Sequence, residues 1–336
     1  MIHLLICPHA LDYGGSQISV HHWAKYLDPS RFKITILAMK EGGLSEKFES
    51  NYSVYYDNIG YPNIENYISR FKPDILHACP GGGSPQEYIT KAAKLIPVTQ
   101  TIMCPRSVAN KNDVSGSIVL SKYVLSLQSN ARNVIQIDPP FDVSDYNIKY
   151  SKKYFNLPEN KLIIGSLGND RRENTHFMRI ARHYKNEDIH FLIKTKKKYI
   201  FLFGRKRITV INRSLSEDEK MSLMRCFDIF LYPTSNEAYG IVFLEAMSQK
   251  VPIISYDDSA MPEVIGEGGL LAPLNDVNKM IELADDLTTN DNKRRSMGQL
   301  GYKLFRKRND PKLIAKKYEK FFEEIFDSWK FHRSEK

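Results

Sequence analysis

The stretch Ser235–Met247 (SNEAYGIVFLEAM) carries two carboxylates, Glu237 and Glu245, eight positions apart. The apolar run Asp228–Tyr232 before it reads as a buried parallel strand, which Pro233 ends. From Ile241 the apolar spacing turns helical. Glu237 then falls in a polar loop before a helix N-terminus, and Glu245 falls inside that helix. Eight helical steps would separate the pair by roughly 12 Å, and the loop start shortens this. Carboxylates so placed accept hydrogen bonds from hydroxyls at both ends of an extended ligand. Between them the N–H groups of Ala238, Tyr239, Gly240 and Ile241 point out of a helix N-terminus, which suits phosphate or diphosphate. Hydroxyls, diphosphate and hydroxyls in that order describe a nucleotide-sugar. A carboxylate in the first turns of a helix also has a plainer use, complementing the dipole and meeting water. The pair alone does not decide between the two.

Its surroundings do. Pro233, Ser235, Gly240 and the run Glu245–Ala246–Met247 frame the carboxylates, and a second apolar strand follows at Val251–Ser255. In these residues the chain resembles the family-4 glycosyltransferases, whose donor-site signature runs Pro-Ser-x-x-Glu-x-x-Gly, a few apolar residues, then Glu-Ala-Met. Glu237, Gly240, Glu245, Ala246 and Met247 match it, as do Pro252, the segment Pro262–Ile265 and GGLLAP at Gly268–Pro273. The resemblance covers the second half of the chain well and the first half more loosely. It implies the GT-B architecture: an α/β fold of two doubly wound Rossmann-like domains facing a cleft. The nucleotide would sit mainly on the second domain, at the carboxyl ends of its strands, as open α/β sheets generally arrange. The implied activity is retaining transfer of a sugar from a nucleoside diphosphate to a glycan or lipid-linked acceptor. Glu245 would bind ribose hydroxyls and Glu237 the hydroxyls of the sugar. The departing phosphate would take the acceptor proton, so no protein nucleophile is needed, and no metal or cofactor besides the donor is called on if backbone dipoles and Arg handle the diphosphate.

The resemblance extends to other positions. Gly14–Gly15 follows the first strand and reads equally as a tight turn or as the place where a family glycine lets backbone approach the donor phosphates, a role that the resemblance gives to Gly15. The pair is not G-x-G-x-x-G, so no dinucleotide site follows. Within strand Leu162–Leu167 the family places an Arg next to the glycine corresponding to Gly165; here Ser166 stands there. Arg171 or Arg172 takes the place of the lysine expected a few residues on, and either grips phosphate bidentately. Lys194 opens a basic run, KTKKK, where a glycine-rich turn is usual. It either restores the missing phosphate charge or belongs to an ordinary basic loop. Arg213 follows strand Ile208–Ile211, near the expected base. His77 ends strand Asp74–Ala78 and is expected to open into the cleft, where a lone histidine is as often structural as catalytic; it is the candidate catalytic group. The family's His or Asp after strand Val98–Met103 is replaced by Met103, Cys104 and Pro105. No Ser/His/Asp order or His/Cys cluster supports a hydrolase or a zinc site.

These positions need two α/β frameworks, and 336 residues suit two domains. Strands and helices alternate over 1–140 and resume at Leu162, which suggests domains over 1–145 and 158–308. Between them Asp138–Asn160 breaks the pattern with prolines, tyrosines and lysines and reads as a linker. Ser216 and Glu219 form a capping box before a helix over Glu217–Phe227. A final helix at Pro311–Trp329, within 309–336, is expected to return to the first domain. A hydrophobic content of 42% supports real cores, and no run approaches a membrane span. MIHLLIC reads as a first strand rather than a signal peptide, and the four scattered cysteines read as reduced thiols of a cytoplasmic protein. The net charge of +9 favours an anionic partner. Diphosphate is one; another is an anionic membrane met peripherally at its inner face, near Lys25, Arg31, Lys47 and Arg106. Two other classes stay open: a nucleotide-sugar-binding protein without transfer, and a binder of or transferase on nucleic acid, for which no recognised motif is present.

Overall fold

The chain divides into two units, Met1–Asp142 with Asn309–Lys336, and Val143–Arg308. The computed structural model describes residues 1–80, 86–106, 112–128, 133–167, 174–185, 188–195 and 207–334.

The first unit is built on seven strands: β1 (Ile2–Cys7), β2 (Phe32–Ala38), β3 (Ser53–Tyr56), β4 (Ile75–Ala78), β5 (Val98–Ile102), β6 (Gly116–Val119) and β7 (Val134–Gln136). All pair in parallel, in the order β3-β2-β1-β4-β5-β6-β7. Helices α1 (Gly15–Ala24), α2 (Ser45–Glu49), α3 (Ile64–Phe71), α4 (Glu87–Ala93) and α5 (Lys122–Ser126) connect them. Parallel strands covered on both faces read as continuous apolar runs. β1, IHLLIC, is buried along its whole length for that reason.

The last helix, labelled α12 (Pro311–Ser334), belongs to this unit. Its buried residues Ile314, Tyr318, Phe321, Phe322 and Ile325 recur at three- and four-residue steps, the spacing of one helical face. The Trp23 ring of α1 stacks on Tyr318 with centroids 4.4 Å apart and planes 7° from parallel. Glu319 accepts hydrogen bonds from the Asp28 N–H at 2.8 Å and from Arg31 at 3.0 Å. At the crossing point Phe141 N–H donates to the Asn309 carbonyl at 3.1 Å, and the Asn309 amide donates to the Pro139 carbonyl at 2.8 Å.

The second unit opens with two 3₁₀ turns, Val143–Asp145 and Lys152–Phe155. Its strands are β8 (Leu162–Leu167), β9 (Ile189–Lys194), β10 (Ile208–Ile211), β11 (Ile229–Leu231), β12 (Ile253–Asp257) and β13 (Gly269–Pro273). They too are parallel, in the order β10-β9-β8-β11-β12-β13. The helices are α6 (Asn174–His183), α7 (Glu217–Arg225), α8 (Ile241–Ser248), α9 (Met261–Ile265), α10 (Val277–Thr289) and α11 (Asp291–Arg308). From β8 the chain runs outward through β9 to β10, then returns to β11 on the other side of β8. That reversal is where open α/β sheets hold ligands, at the carboxyl ends of the strands. Helix α7 starts at the capping box the spacing predicts: Glu219 N–H donates to Ser216 Oγ at 3.2 Å, and Ser216 N–H donates to the Glu219 carboxylate at 2.9 Å.

Both units are therefore parallel-sheet, Rossmann-like α/β folds. Three elements stand outside the sequence reading: α2, α9 and β13. The strand expected from Val251 starts instead at Ile253, after Pro252, which has no N–H to give a ladder.

Candidate functional site

At the carboxyl end of β11 the chain enters a tightly held loop. Tyr232, Pro233 and Thr234 are buried. Asn236 takes the left-handed conformation with φ 58°, and its N–H donates to Asp258 Oδ2 at 2.7 Å. Glu237 is half-buried, and one of its oxygens accepts from the Thr234 hydroxyl at 3.2 Å. Its carbonyl accepts from the Ala260 N–H at 3.4 Å, tying the loop to the start of α9. Ala238 and Tyr239 are buried.

Gly240 is the residue before α8, with φ 80°. A Cβ there would stand 2.6 Å from the Phe243 ring, so the turn needs glycine for conformation and for space. No side chain caps α8, which leaves its first turn without the usual hydroxyl or carboxylate acceptor.

Glu245, in the second turn of α8, is nearly sealed: its side chain is 5% exposed. One carboxylate oxygen, Oε1, meets the Lys220 ammonium of α7 at 2.8 Å. The same ammonium lies 2.8 Å from Glu217 Oε2. Two carboxylates thus share one cation. Burial raises the Glu245 pKa, Lys220 opposes that rise, and Glu217 adds to it. For Lys220 burial acts downward, but Glu245 and Glu217 outweigh it and hold the ammonium well above its ordinary range.

The other residues singled out in the sequence fall in three places. Lys194 ends β9, in register with Leu167 of β8 and Ile211 of β10. It is half-buried and stands on the same sheet edge as the Gly240 loop. Arg213, just past β10, donates to Glu219 at 2.6 Å and to the Ser214 carbonyl at 3.2 Å. It holds Glu219 down at about 2, against the burial that would raise it. Tyr154 OH donates to the same carboxylate at 2.7 Å. Arg213 is thereby anchored to the α7 capping box. Arg171 and Arg172 lie outside the described residues.

Gly15 and His77 belong to the first unit. Gly15 begins α1. The expectation that His77 opens from its strand is corrected: the side chain is completely buried. Its two ring nitrogens are each 2.9 Å from a threonine hydroxyl, Thr99 and Thr101 of β5. Trp23, Tyr318 and Phe322 present ring faces or edges around it. Burial depresses its pKa to about 3, so it is neutral at ordinary pH. It is a hydrogen-bonded core histidine beneath α12, because β4 lies inside the sheet and is covered on both faces.

Ser166, standing where a family arginine is usual, is also buried, at 1% exposure. Lys220 escaped the sequence reading, since it sits among the polar residues that open α7. Among the described residues no group of three or more His, Cys, Asp or Glu side chains is placed to hold a metal ion. No helix there is long and apolar enough to cross a membrane. All four cysteines are free thiols, with Cys7 and Cys79 buried.

Comparison with known proteins bears on the fold and on the family of the second unit. An uncharacterized glycosyltransferase of Methanocaldococcus jannaschii, MJ1178, is 30% identical over 139 residues, 41% of this chain and 37% of its own. The O-antigen biosynthesis glycosyltransferase WclY of Escherichia coli is 25% identical over 227 residues, 62% of this chain and 61% of its own. The chain thus spans between about a third and three fifths of the length of these two relatives. Among solved structures, a glycosyltransferase from Rickettsia africae superposes with a TM-score of 0.79 at 14% identity, covering 96% of this chain and 98% of that one. Anabaena Alr3699/HepE in complex with UDP-glucose gives 0.78 at 13% identity, covering 96% and 100%. Likeness at such identity speaks for the fold, which is that of these glycosyltransferases. Residues 151–304, which hold the Gly240 loop, Glu245 and Lys220, match the family model for Glycosyl transferases group 1, and it is to that family that the sequence of the second unit points.

Proposed function

We propose that the chain is a glycosyltransferase that moves a sugar from a nucleoside diphosphate to a glycan or lipid-linked acceptor, with retention of configuration. The observation that carries the reading is Glu245, a nearly buried carboxylate one turn inside a helix that starts at a glycine-only, uncapped turn. That turn lies at the reversal point of the second sheet. In this reading Glu245 accepts from ribose hydroxyls and Glu237 from the sugar. The first turn of α8, Lys194 and Arg171 or Arg172 meet the diphosphate. Donors fixed in advance around a developing phosphate charge lower the barrier without reorganising. The family match and relatives named for O-antigen and capsular polysaccharide biosynthesis support sugar transfer in polysaccharide assembly. The neighbour bound to UDP-glucose supports a nucleotide-sugar donor.

The test is incubation with UDP-, GDP- and ADP-sugars and candidate oligosaccharide acceptors, following release of free nucleotide and the anomeric configuration of the product. Release with none of them, in folded protein that still binds a donor, selects the second reading, nucleotide-sugar binding without transfer. The buried Ser166 in place of an arginine and the sealed His77 favour that one. With a working assay, the double change Arg171→Ala, Arg172→Ala should cut turnover more than either single change. Full turnover in the double variant would move the diphosphate role to Lys194. The proposed setting is the cytoplasmic face of a membrane, met peripherally. Co-sedimentation should then require anionic vesicles and fade with salt.

A further inference from the structure

We infer that Lys220 is a positioning residue of the donor site: it keeps Glu245 a carboxylate, one oxygen committed to the protein and the other turned to a ligand hydroxyl. This rests on the reading of Glu245 given above and adds the group that makes it work. A carboxyl as buried as Glu245 tends to take up a proton and become neutral. A neutral carboxyl can donate through one oxygen and loses the charge that makes it a strong acceptor. Lys220 supplies the opposing charge at 2.8 Å from Oε1. The ion pair is made through Oε1, which leaves the second oxygen, Oε2, outside it. In this proposal Oε1 is held by Lys220 and Oε2 is the oxygen that accepts from the ligand.

The geometry also sets the acid limit of such a site. Helix α7 brings Lys220 and Glu217 to Glu245. Helix α11 meets α8 through Gly301 against Met247, without a charge. Among the described residues only Lys220 and Glu217 act on Glu245 electrostatically, and they act in opposite directions. Removing Lys220 leaves burial and a like charge, both of which favour the protonated form. Removing Glu217 leaves Lys220 to serve Glu245 alone. One change therefore moves the acid limit of hydroxyl binding up in pH and the other moves it down. A purely structural salt bridge would weaken the fold in both cases and move the limit in neither.

The experiment is calorimetric titration of UDP, GDP and ADP from pH 5 to 8 into wild-type protein, Lys220→Met, Lys220→Arg and Glu217→Gln. Thermal melts report folding. The affinity of Lys220→Met should begin to fall at least one pH unit higher than that of wild type, an expected loss of about threefold at the pH midway between the two limits that approaches about tenfold below both. Glu217→Gln should move the limit down, and Lys220→Arg should restore it. The gap in affinity between UDP and 2′,3′-dideoxy-UDP should narrow in Lys220→Met at neutral pH. A ligand-free ¹³C titration of the glutamate carboxyl carbons reads the same shifts at Glu245, and if Lys220→Met fails to fold, Glu217→Gln carries the sign test alone. Shifts in one common direction, or none, in folded variants overturn the role of Lys220. Wild-type protein that binds none of the three nucleotides overturns the donor-site reading on which it stands, whatever the carboxyl titration shows.

Discussion

Glu245→Gln is the sharpest single perturbation of the candidate site. It keeps volume and removes one negative charge from a cluster where Lys220 serves two carboxylates. Removing one partner of a fully buried ion pair usually costs about 3–5 kcal/mol, because the other charge is stranded. Lys220 is not stranded: it keeps Glu217 at 2.8 Å and is itself 23% exposed. The expected loss of folding stability is then about 1 kcal/mol, the scale of one hydrogen bond weakened. Binding should suffer more. The glutamine oxygen turns to the Lys220 ammonium, which leaves the amide NH₂ at the outer position, where a hydroxyl needs an acceptor. A hydrogen bond to a charged group contributes about 1.5–3 kcal/mol, so nucleotide affinity should fall by about 10- to 100-fold. Calorimetry with nucleoside diphosphates at pH 7 measures this, and urea unfolding measures the stability term. A folded glutamine variant that binds within about twofold of wild type would refute both the acceptor role and the polarity argument.

Gly240→Ala should weaken donor binding and cost stability of about 1–2 kcal/mol, since φ 80° disfavours any Cβ and the Phe243 ring stands 2.6 Å from one; an unchanged melting temperature counts against a fixed turn. His77 makes the first unit acid-sensitive. Unfolded chain takes up its proton below about pH 6.5, whereas the folded side chain waits until about 3. Its contribution is complete above pH 6.5 and is lost as pH falls toward 3, steepening to about 1.4 kcal/mol per pH unit. Both tryptophans, Trp23 and Trp329, lie in that unit, so urea melts followed by their fluorescence should show this slope in wild type and a shallower one in His77→Gln. Tyr318→Ala should destabilise the same unit by about 3–5 kcal/mol through the lost stack on Trp23, and a loss below about 1 kcal/mol would show α12 to be dispensable.

Much of the fold is legible because parallel strands leave a plain trace. Runs such as Ile2–Cys7 and Leu162–Leu167 are covered on both faces, so nearly every position is apolar or small, and the one large polar side chain among them, His3, has the Thr35 hydroxyl at 2.9 Å. The elements that escape are short. Ser45–Glu49 and Met261–Ile265 are helices of five residues, too few to show a 3.6-residue period. Gly269–Pro273 opens with a glycine and closes with a proline, residues that signal turns. It is a strand because it lies at the edge of the sheet beside β12, where the close approach of Gly269 to the Ile253 carbonyl leaves no room for a Cβ.

The site divides along the same physical line. Glu237, Gly240 and Glu245 lie on one continuous segment, so their spacing alone places them in a loop, a turn and a helix. His77 was misread because a strand's apolar pattern does not say whether a polar residue within it faces a ligand or a partner strand. The two threonines that satisfy it lie on β5, more than twenty positions away. Lys220 was missed for a related reason. It stands in a run of acidic and basic residues, Glu217–Lys220, which at the start of a helix usually means a solvated face. Only the packing of α7 on α8 turns one of those side chains inward to a carboxylate twenty-five positions downstream. A charge that modifies another charge through space has no spacing rule in sequence. Its signature is energetic: a carboxylate that is nearly sealed must either be neutral or have a cation within reach, so finding Glu245 buried is already a reason to look for Lys220.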